Sequence, residues 1–482
     1  VIYGLNAAIQ KFISFFLFPL YARMLTKEDF GLQDIILVSI IVLSTVLVLG
    51  MDSGVMLHYY GADEGEKEKI RSTWFWTELC IALIVCIPLW VFAAPISRAI
   101  FGRADIAAYF RLAVLSVPFS RVSAAILLVL RLAFKSGKYI LMSTAGVLFQ
   151  VAASILFVLI WRKGVYGVFQ AILIASIIQA LFGLILSYRY FHFAFSLRWF
   201  KATLAVGIPL LPVALSVWVL NYSNRYFLMH YGSLGDIGMF SVALRISSIL
   251  LFVFSAFEIA WGPFAYSLAQ DKETARKIYA RVLMYFLIFS IGATVGLSLF
   301  GREVTNLLAT RVYESSASLV PLLCFSSICW VALYIVGMGV GIAKKTYHNT
   351  IAILMGVLIN TFFNFMLIPA WGIIGASLAT AGGNFVALIY MYFSGQHYFR
   401  VPYDLKKIFI LATLGSTSIA LGLILDSYRD AWNIQLVVMK VLILALFILM
   451  LFIFRIIRKD SPQIIWRMII SGLNKRPVLK SF

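Results

Sequence analysis

Leu25-Thr26-Lys27-Glu28-Asp29-Phe30-Gly31 joins the first two apolar runs of this chain, and Gly232-Ser233-Leu234-Gly235-Asp236-Ile237-Gly238 joins the seventh and eighth. Gly31 and Gly238 are 207 residues apart, and Lys138 and Lys345, each opening a later run, keep that separation. Gly164-Val165-Tyr166-Gly167 then matches Gly372-Ile373-Ile374-Gly375 at 208, and Gly146-Val147-Leu148 matches Gly356-Val357-Leu358 at 210. Near-constant offsets at four landmarks mark the duplication of one unit about six runs long. A unit with an even number of membrane crossings keeps its orientation when it is copied. The two halves are therefore expected to lie parallel, related by an axis along the membrane normal.

Working outward, the runs are long enough to span a bilayer. About 20 apolar residues cross the hydrocarbon core as a helix. Fourteen such runs are read near 3–24, 31–60, 72–97, 105–134, 139–160, 166–190, 202–230, 236–268, 277–300, 316–343, 349–369, 372–393, 405–426 and 432–455. The composition agrees: 62% of residues are hydrophobic, 12% are charged and the mean hydropathy is +0.96. Soluble domains carry roughly twice that charge. The first run leads into further spans, so it is read as a span and not as a cleaved leader. The fold class expected is all-α integral membrane, with about 14 transmembrane helices. Two parallel-repeat six-helix lobes would surround a central cavity, with two extra C-terminal helices. The divisions fall at residues 1–198 for the first lobe, 199–400 for the second, 401–455 for helices thirteen and fourteen, and 456–482 for a cytoplasmic tail. In that tail Ser461-Pro462 reads as a helix start. Ile464, Ile465, Met468 and Ile469 follow on one face, as in a helix lying on a membrane surface.

A net charge of +20 would point to nucleic acid in a soluble protein. Here it sorts by topology. One set of connections holds Lys67, Lys69, Arg71, Lys135, Lys138, Arg198, Lys201, Lys344 and Lys345, and the C-terminal tail adds more. The opposite set is poorer in Lys and Arg. Basic connections mark the cytoplasmic side, which places both termini inside, as an even number of spans requires. No nucleic-acid partner is implied. Cys80, Cys86, Cys324 and Cys329 fall inside apolar runs at spacings that fit no metal or redox motif, so they read as small hydrophobes. Zinc-protease, P-loop and nucleophile-elbow patterns are missing, and no hydrophilic loop is long enough for an active site. We expect no catalytic residues, metal or cofactor.

Chemistry is carried by charges inside the spans. Lys11, Arg121, Arg225 and Arg245 sit in otherwise apolar runs, where a cation costs about 2.5–3.5 kcal/mol on insertion scales. Arg225 and Arg245 flank the Gly232–Gly238 loop at a depth of roughly 10 Å, at 1.5 Å per helical residue. Arg121 lies near mid-membrane, and Lys11 in the inner half of the first span. Such cations either line a wet cavity for an anionic cargo or pair with a carboxylate. Arginine suits phosphate, because its planar fork makes paired hydrogen bonds and stays charged. Asn221, Tyr222 and Asn224 accompany Arg225 and could contact a sugar or hydrogen-bond between helices; Asn360 and Asn364 pose the same alternatives. Asp52 and Glu258 are candidates for ion coupling, or for neutralising a neighbouring arginine. Pro118, Pro209 and Pro212 mark expected kinks or breaks.

The stretch from Phe18-Pro19-Leu20-Tyr21-Ala22-Arg23-Met24 through Gly31 resembles the first-loop signature of bacterial polysaccharide exporters. These are the oligosaccharide-lipid flippases of the multidrug/oligosaccharidyl-lipid/polysaccharide exporter superfamily. Gly207-Ile208-Pro209, Asn224-Arg225 and Gly238-Met239-Phe240-Ser241 resemble the second-half counterpart, and residues 369–376 its span-eleven to span-twelve turn. The family often carries aspartate where this chain has Asn224. What the resemblance implies is a flippase of the bacterial inner membrane, not an enzyme. It would move polyprenyl-pyrophosphate-linked oligosaccharide from the inner to the outer leaflet by alternating access, with Lys11, Arg121, Arg225 and Arg245 holding the pyrophosphate or acidic sugars. Polysaccharide polymerase and assembly machinery would be its protein partners. A lipid II flippase or a cation-coupled multidrug exporter of the same superfamily is the alternative, and a membrane glycan polymerase or ligase a more distant one.

Overall fold

The computed structural model describes residues 10, 13, 15–427 and 434–456. Lys11 and all of the expected tail except Ile456 lie outside them. Every regular element among the described residues is helical. Among the described residues twelve helices are long and apolar enough to cross a membrane. One of these, Tyr347–Tyr398, is a hairpin: its backbone leaves helical geometry at Gly372, and His348 on its first limb hydrogen-bonds Tyr390 (2.7 Å) and Tyr398 (3.2 Å) on its second. With the first segment, described over Leu17–Met24, the architecture has about fourteen crossings.

We label the helices used below as α1 (Leu17–Met24), α2 (Lys27–Leu47), α3 (Met51–Tyr59), α4 (Glu64–Val91), α5 (Ala107–Leu132), α6 (Ser136–Ser154) and α7 (Gly164–Ser187). The second half holds α8 (Leu197–Tyr222), α9 (Asn224–Tyr231), α10 (Leu234–Ser247), α11 (Ile249–Leu268), α12 (Lys272–Leu299), α13 (Gly301–Leu308), α14 (Val320–Val336) and the hairpin α15. α16 (Leu405–Asp426) and α17 (Ile434–Ile453) complete the chain. The helices form two lobes whose packing repeats. α5 lies against α4 and α7, and its counterpart α14 lies against α12 and the hairpin.

The duplicated loops build the same helix start twice. Thr26 Oγ1 accepts from the Asp29 backbone amide (3.1 Å). Ser233 Oγ accepts from the Asp236 amide (3.1 Å), and the Asp236 carboxylate accepts in return from the Ser233 amide (2.9 Å). Such caps satisfy amides that have no partner within the helix, and an acid in the first turn complements the helix dipole. α2 and α10 start from these caps and then meet one another. A Cβ on Gly31 would fall 1.9 Å from the Leu234 carbonyl oxygen, and one on Gly238 2.1 Å from that of Lys27. The two glycines that mark the repeat in sequence thus touch at its axis, where no side chain fits. The same device recurs past the far end of α2, against a different helix. α2 breaks at Leu49 and Gly50, both left-handed (φ 49° and 67°), and Gly50 seats against Gly207 of α8, with 2.3 Å from its would-be Cβ to the Gly207 oxygen.

Pro118 lies within α5, and Pro209 and Pro212 within α8, without ending either helix. The breaks fall instead at residues 49–50, at Ser223, at Ser248 and at Gly337. A membrane helix tolerates proline where neighbouring groups and local backbone adjustments re-satisfy the freed carbonyl. α16 and α17 are tied to the second lobe by charge. Lys440 of α17 is fully buried, with Nζ 2.7 Å from both Glu303 of α13 and Asp426 of α16. Cys86, Cys324 and Cys329 are buried, whereas Cys80 is exposed at the protein surface; all four are free thiols.

Because a methyl group at position 31 or 238 must push α2 and α10 apart, Gly31→Ala and Gly238→Ala are each expected to lower stability by about 1–3 kcal/mol, as overpacking does. Gly296→Ala in α12, where a Cβ meets open space, should be neutral or stabilising. Thermal unfolding of the purified variants compares the three.

Candidate functional site

Below the Gly31–Gly238 contact, polar groups converge from both lobes. Asp34 lies two turns into α2, and Ser241, 207 residues later, two turns into α10. Ser241 Oγ donates to Asp34 Oδ2 at 2.7 Å, so repeat-equivalent positions again meet at the axis. Arg225 of α9 supplies the charge: its Nε donates to Asp34 Oδ2 (3.1 Å), and its Nη1 to the Asn221 carbonyl (2.6 Å) and Asn224 Oδ1 (2.9 Å). The guanidinium lies over the rings of Tyr222 and Phe240, 5.3 Å from each centroid. Asn224 passes its amide on to Thr380 Oγ1 of the hairpin (3.0 Å). Two further bonds extend the seam: Tyr226 shares a hydrogen bond with Ser39 (2.7 Å), and the Trp218 indole donates to the Val38 carbonyl (3.2 Å).

The four cations marked in the sequence have different surroundings. Arg225 is 5% exposed and its fork is held by protein acceptors. Arg121 of α5 donates from one nitrogen to both oxygens of Glu78 on α4 (3.0 and 2.9 Å). For these two the arrangement is carboxylate pairing. Arg245 differs. It is exposed, one turn below Ser241 on α10, and among the described residues its guanidinium has no hydrogen-bond or ion-pair partner. Tyr21 of α1 lies within its electrostatic reach. Lys11 is outside the described residues, as is the side chain of Glu258 on α11.

The amides cluster in the same lobe. Asn364 Nδ2 donates to Asn360 Oδ1 (3.0 Å), which also accepts from Ser223 Oγ (3.3 Å). Both amides are fully buried. Asn221 donates to the Val217 carbonyl (2.8 Å), and Asp52 is half-buried beside Glu78. Among the described residues no group of His, Cys, Asp and Glu is arranged to hold a metal ion. A separate apolar cavity of about 940 Å³ opens between α12, α14, the second limb of α15 and α16, lined by Leu287, Ile291, Phe325, Phe385, Ala412 and Ile419 among others.

The family model described as "polysaccharide biosynthesis protein" matches residues 1–266, more than half of the chain. The chain belongs to this polysaccharide biosynthesis family. Among curated relatives, the succinoglycan biosynthesis transport protein ExoT of Rhizobium meliloti is 27% identical over 242 residues, covering 49% of this chain and 47% of that protein. An uncharacterized membrane protein of Methanocaldococcus jannaschii, MJ1068, is 26% identical over 179 residues, covering 37% and 35%. The chain therefore spans less than half the length of the curated relatives it matches. Among solved structures, the lipid II flippase MurJ in an inward closed conformation superposes with a TM-score of 0.75 at 15% identity, covering 94% of this chain and 98% of that one. An inward-facing multidrug resistance transporter of the MATE family, in the MOP superfamily, reaches 0.64 at 17% identity, covering 80% and 94%. At these identities the structures establish the fold, which is that of the MOP-superfamily transporters.

In this family member, two partners that matter were missed by reading charges along the spans. Asp34 lies close enough to Glu28 and Asp29 to pass for part of the loop, and Lys440 is a fifth cation within the apolar spans. A signal for Asp34 was present: it shares the 207-residue offset with Ser241, and it lies as deep below the loops as Arg225.

Removing one partner of a buried charge pair leaves the other uncompensated, which costs about 3–5 kcal/mol. Asp34→Leu and Arg225→Ala should each be destabilised on that scale, and Arg225→Lys should not restore stability, because a single ammonium nitrogen cannot reproduce the planar fork that reaches Asp34, Asn221 and Asn224 from two separate nitrogens. The double variant Asp34→Asn/Arg225→Gln is expected to recover part of the loss. Thermal denaturation of the four proteins measures this.

Proposed function

We propose that this protein is a flippase that moves a polyprenyl-pyrophosphate-linked oligosaccharide across the bacterial inner membrane by alternating access, with Arg245 as the anion anchor. The observation that carries the reading is the contrast among its intramembrane arginines. Arg121 and Arg225 are neutralised by carboxylates, while Arg245 is exposed and without a partner among the described residues. A cation held at that depth without neutralisation is costly unless an anion comes to it. Pyrophosphate matches the planar, permanently charged fork. Lys11, in the sequence stretch before α1, would be a second contact. Arg121, Arg225, Asn221, Tyr222 and Asn224 then act on the cargo through the shape of the site rather than as free donors.

Family membership and the transport protein among the relatives support this reading. The fold supports a mechanism in which the lobes part alternately at the Gly31–Gly238 and Gly50–Gly207 ends. A polyprenyl chain would remain in lipid, and the apolar cavity beside α16 offers it a matching surface. Both termini would be cytoplasmic, as the basic connections argue. The product would be delivered to polysaccharide polymerase and assembly proteins on the outer face.

Native mass spectrometry tests the anchor. Wild-type protein should retain a polyprenyl-pyrophosphate glycan in preference to the same glycan on uncharged polyprenol. Arg245→Ala should lose that retention at least tenfold without loss of thermal stability, and Arg245→Lys should keep part of it. Retention that ignores the pyrophosphate would overturn the anchor. Preferential binding of cationic drugs dependent on Asp52 or Glu258 would move the chain to the multidrug reading.

A further inference from the structure

α16 and α17 lie outside the duplicated unit, and the transport reading gives them no task beyond an apolar surface. α17 carries one charge, Lys440, in 20 residues that are otherwise suited to lipid. Helix association in a bilayer draws little on the hydrophobic effect, so the buried ammonium is what fixes α17 in place. Its Nζ lies 2.7 Å from Glu303 in the first turn of α13 and 2.7 Å from Asp426 at the end of α16. Arg302, the residue before Glu303, donates from Nη1 to the Asp426 carbonyl (2.5 Å) and from Nε to Glu314 (2.5 Å). Glu314 belongs to the 3-10 stretch Arg311–Leu319, which folds back against α13. α13 and this stretch form one cap, and its base is held by charge to the last two helices.

The other side of the cap meets the first lobe. The last carbonyls of a helix lack partners within it, and a cation at that end also suits the helix dipole. Arg23 of α1 meets both needs of α13: its Nη2 donates to the Leu307 oxygen (2.5 Å). Beside it, Phe30 of α2 packs edge-on against Tyr313 of the cap, with ring centroids 6.1 Å apart and both rings buried. Phe30 immediately precedes Gly31, and α10 also lies against the cap, so the cap borders the Gly31–Gly238 contact. The two attachments differ in kind. At the base, buried charges hold one another, and parting them strands a charge away from water. At the first lobe, an exposed arginine holds a neutral carbonyl and returns to water on release. The cap is fastened to the last two helices and only docked on the first lobe.

We infer that α13 and residues 311–319 form a latch on the Gly31–Gly238 face, positioned by Lys440 and Arg302 and released at Arg23. The two helices outside the repeat thereby set how firmly that face is shut. Opening it breaks the Arg23–Leu307 hydrogen bond and the Phe30–Tyr313 contact, while the Lys440 cluster travels intact with the second lobe. Lys440 and Arg302 act through α13, as positioning residues. That this face opens at all rests on the transport reading, whereas the latch requires no particular cargo.

Electron–electron double resonance on the full chain in lipid nanodiscs, without any glycolipid, measures the latch. Spin labels at Ala108→Cys in α5 and Ala370→Cys at the hairpin turn sit at exposed positions of this face, in different lobes and outside the cap. Cys80→Ser removes the exposed native thiol. With the native latch, the closed distance should be the main population; a mainly open protein overturns the latch outright. Arg23→Gln should raise the ratio of open to closed about tenfold, as the loss of one charge-assisted hydrogen bond implies. Lys440→Met combined with Glu303→Gln and Asp426→Asn removes the cluster without stranding a charge, and should raise the ratio too. A lower melting temperature of that triple variant with unchanged distances would mean that Lys440 only fastens α17, and overturns the inference. Unchanged distances in Arg23→Gln overturn the docking on the first lobe. Gly238→Ala, whose methyl meets the Lys27 oxygen and wedges α10 from α2, is the control for opening. If it alone populates the open distance, the face parts as the transport reading requires and the latch is wrong. If no variant does, the face does not part, and the transport reading falls with the latch.

Discussion

The close approach of two helix backbones at Gly31 and Gly238 is the constraint on which the rest of the structure depends. Without side chains there, α2 and α10 come near enough for positions 34 and 241 to share a hydrogen bond. That distance in turn lets Arg225 reach across from α9 to Asp34. In a bilayer, helix association draws little on the hydrophobic effect, so small residues and interhelical hydrogen bonds do more of the work. The seam uses both, arranged about one axis.

The duplication makes this economical. A contact between equivalent residues of two parallel repeats forms on the axis that relates them. Once Gly31 meets Gly238, Asp34 must face position 241, one turn deeper. The halves have since diverged in charge: an acid on one side, a hydroxyl on the other, with an arginine brought in to neutralise the acid. Symmetric copies would have set two aspartates face to face, which burial forbids unless they share a proton. Glu303 and Asp426 do come together among the described residues, with the Lys440 ammonium set between them.

Sequence legibility followed the physics of each feature. The spans and the repeat were readable because they are properties of residue type and spacing: apolar runs of membrane length, and landmarks 207 to 210 residues apart. Pairing was not, because it depends on how each helix is rotated about its own axis. Arg121 and Arg225 could be flagged as costly, but whether they met water or a carboxylate required the packing of α5 on α4 and of α9 beside α2. Naming Asp52 and Glu258 as the intramembrane acids left out Asp34, Glu303 and Asp426, which lie toward helix ends and are easily assigned to a loop. Prolines misled for a related reason. They remove one backbone hydrogen bond, yet α5 and α8 run on through theirs, and the breaks fall at glycine and serine positions.

Taken together, the intramembrane charges divide by role according to their arithmetic. Arg225 with Asp34 is neutral and spans the lobes, so it can hold the closed seam without attracting an ion. Lys440 with Glu303 and Asp426 lies apart from the seam, fastening the last two helices. Arg245 departs from this pattern, since no carboxylate among the described residues pairs with its side chain. An uncompensated charge inside a span is costly, so this arginine, unlike Arg121 and Arg225, is the one whose protein surroundings do not account for its presence.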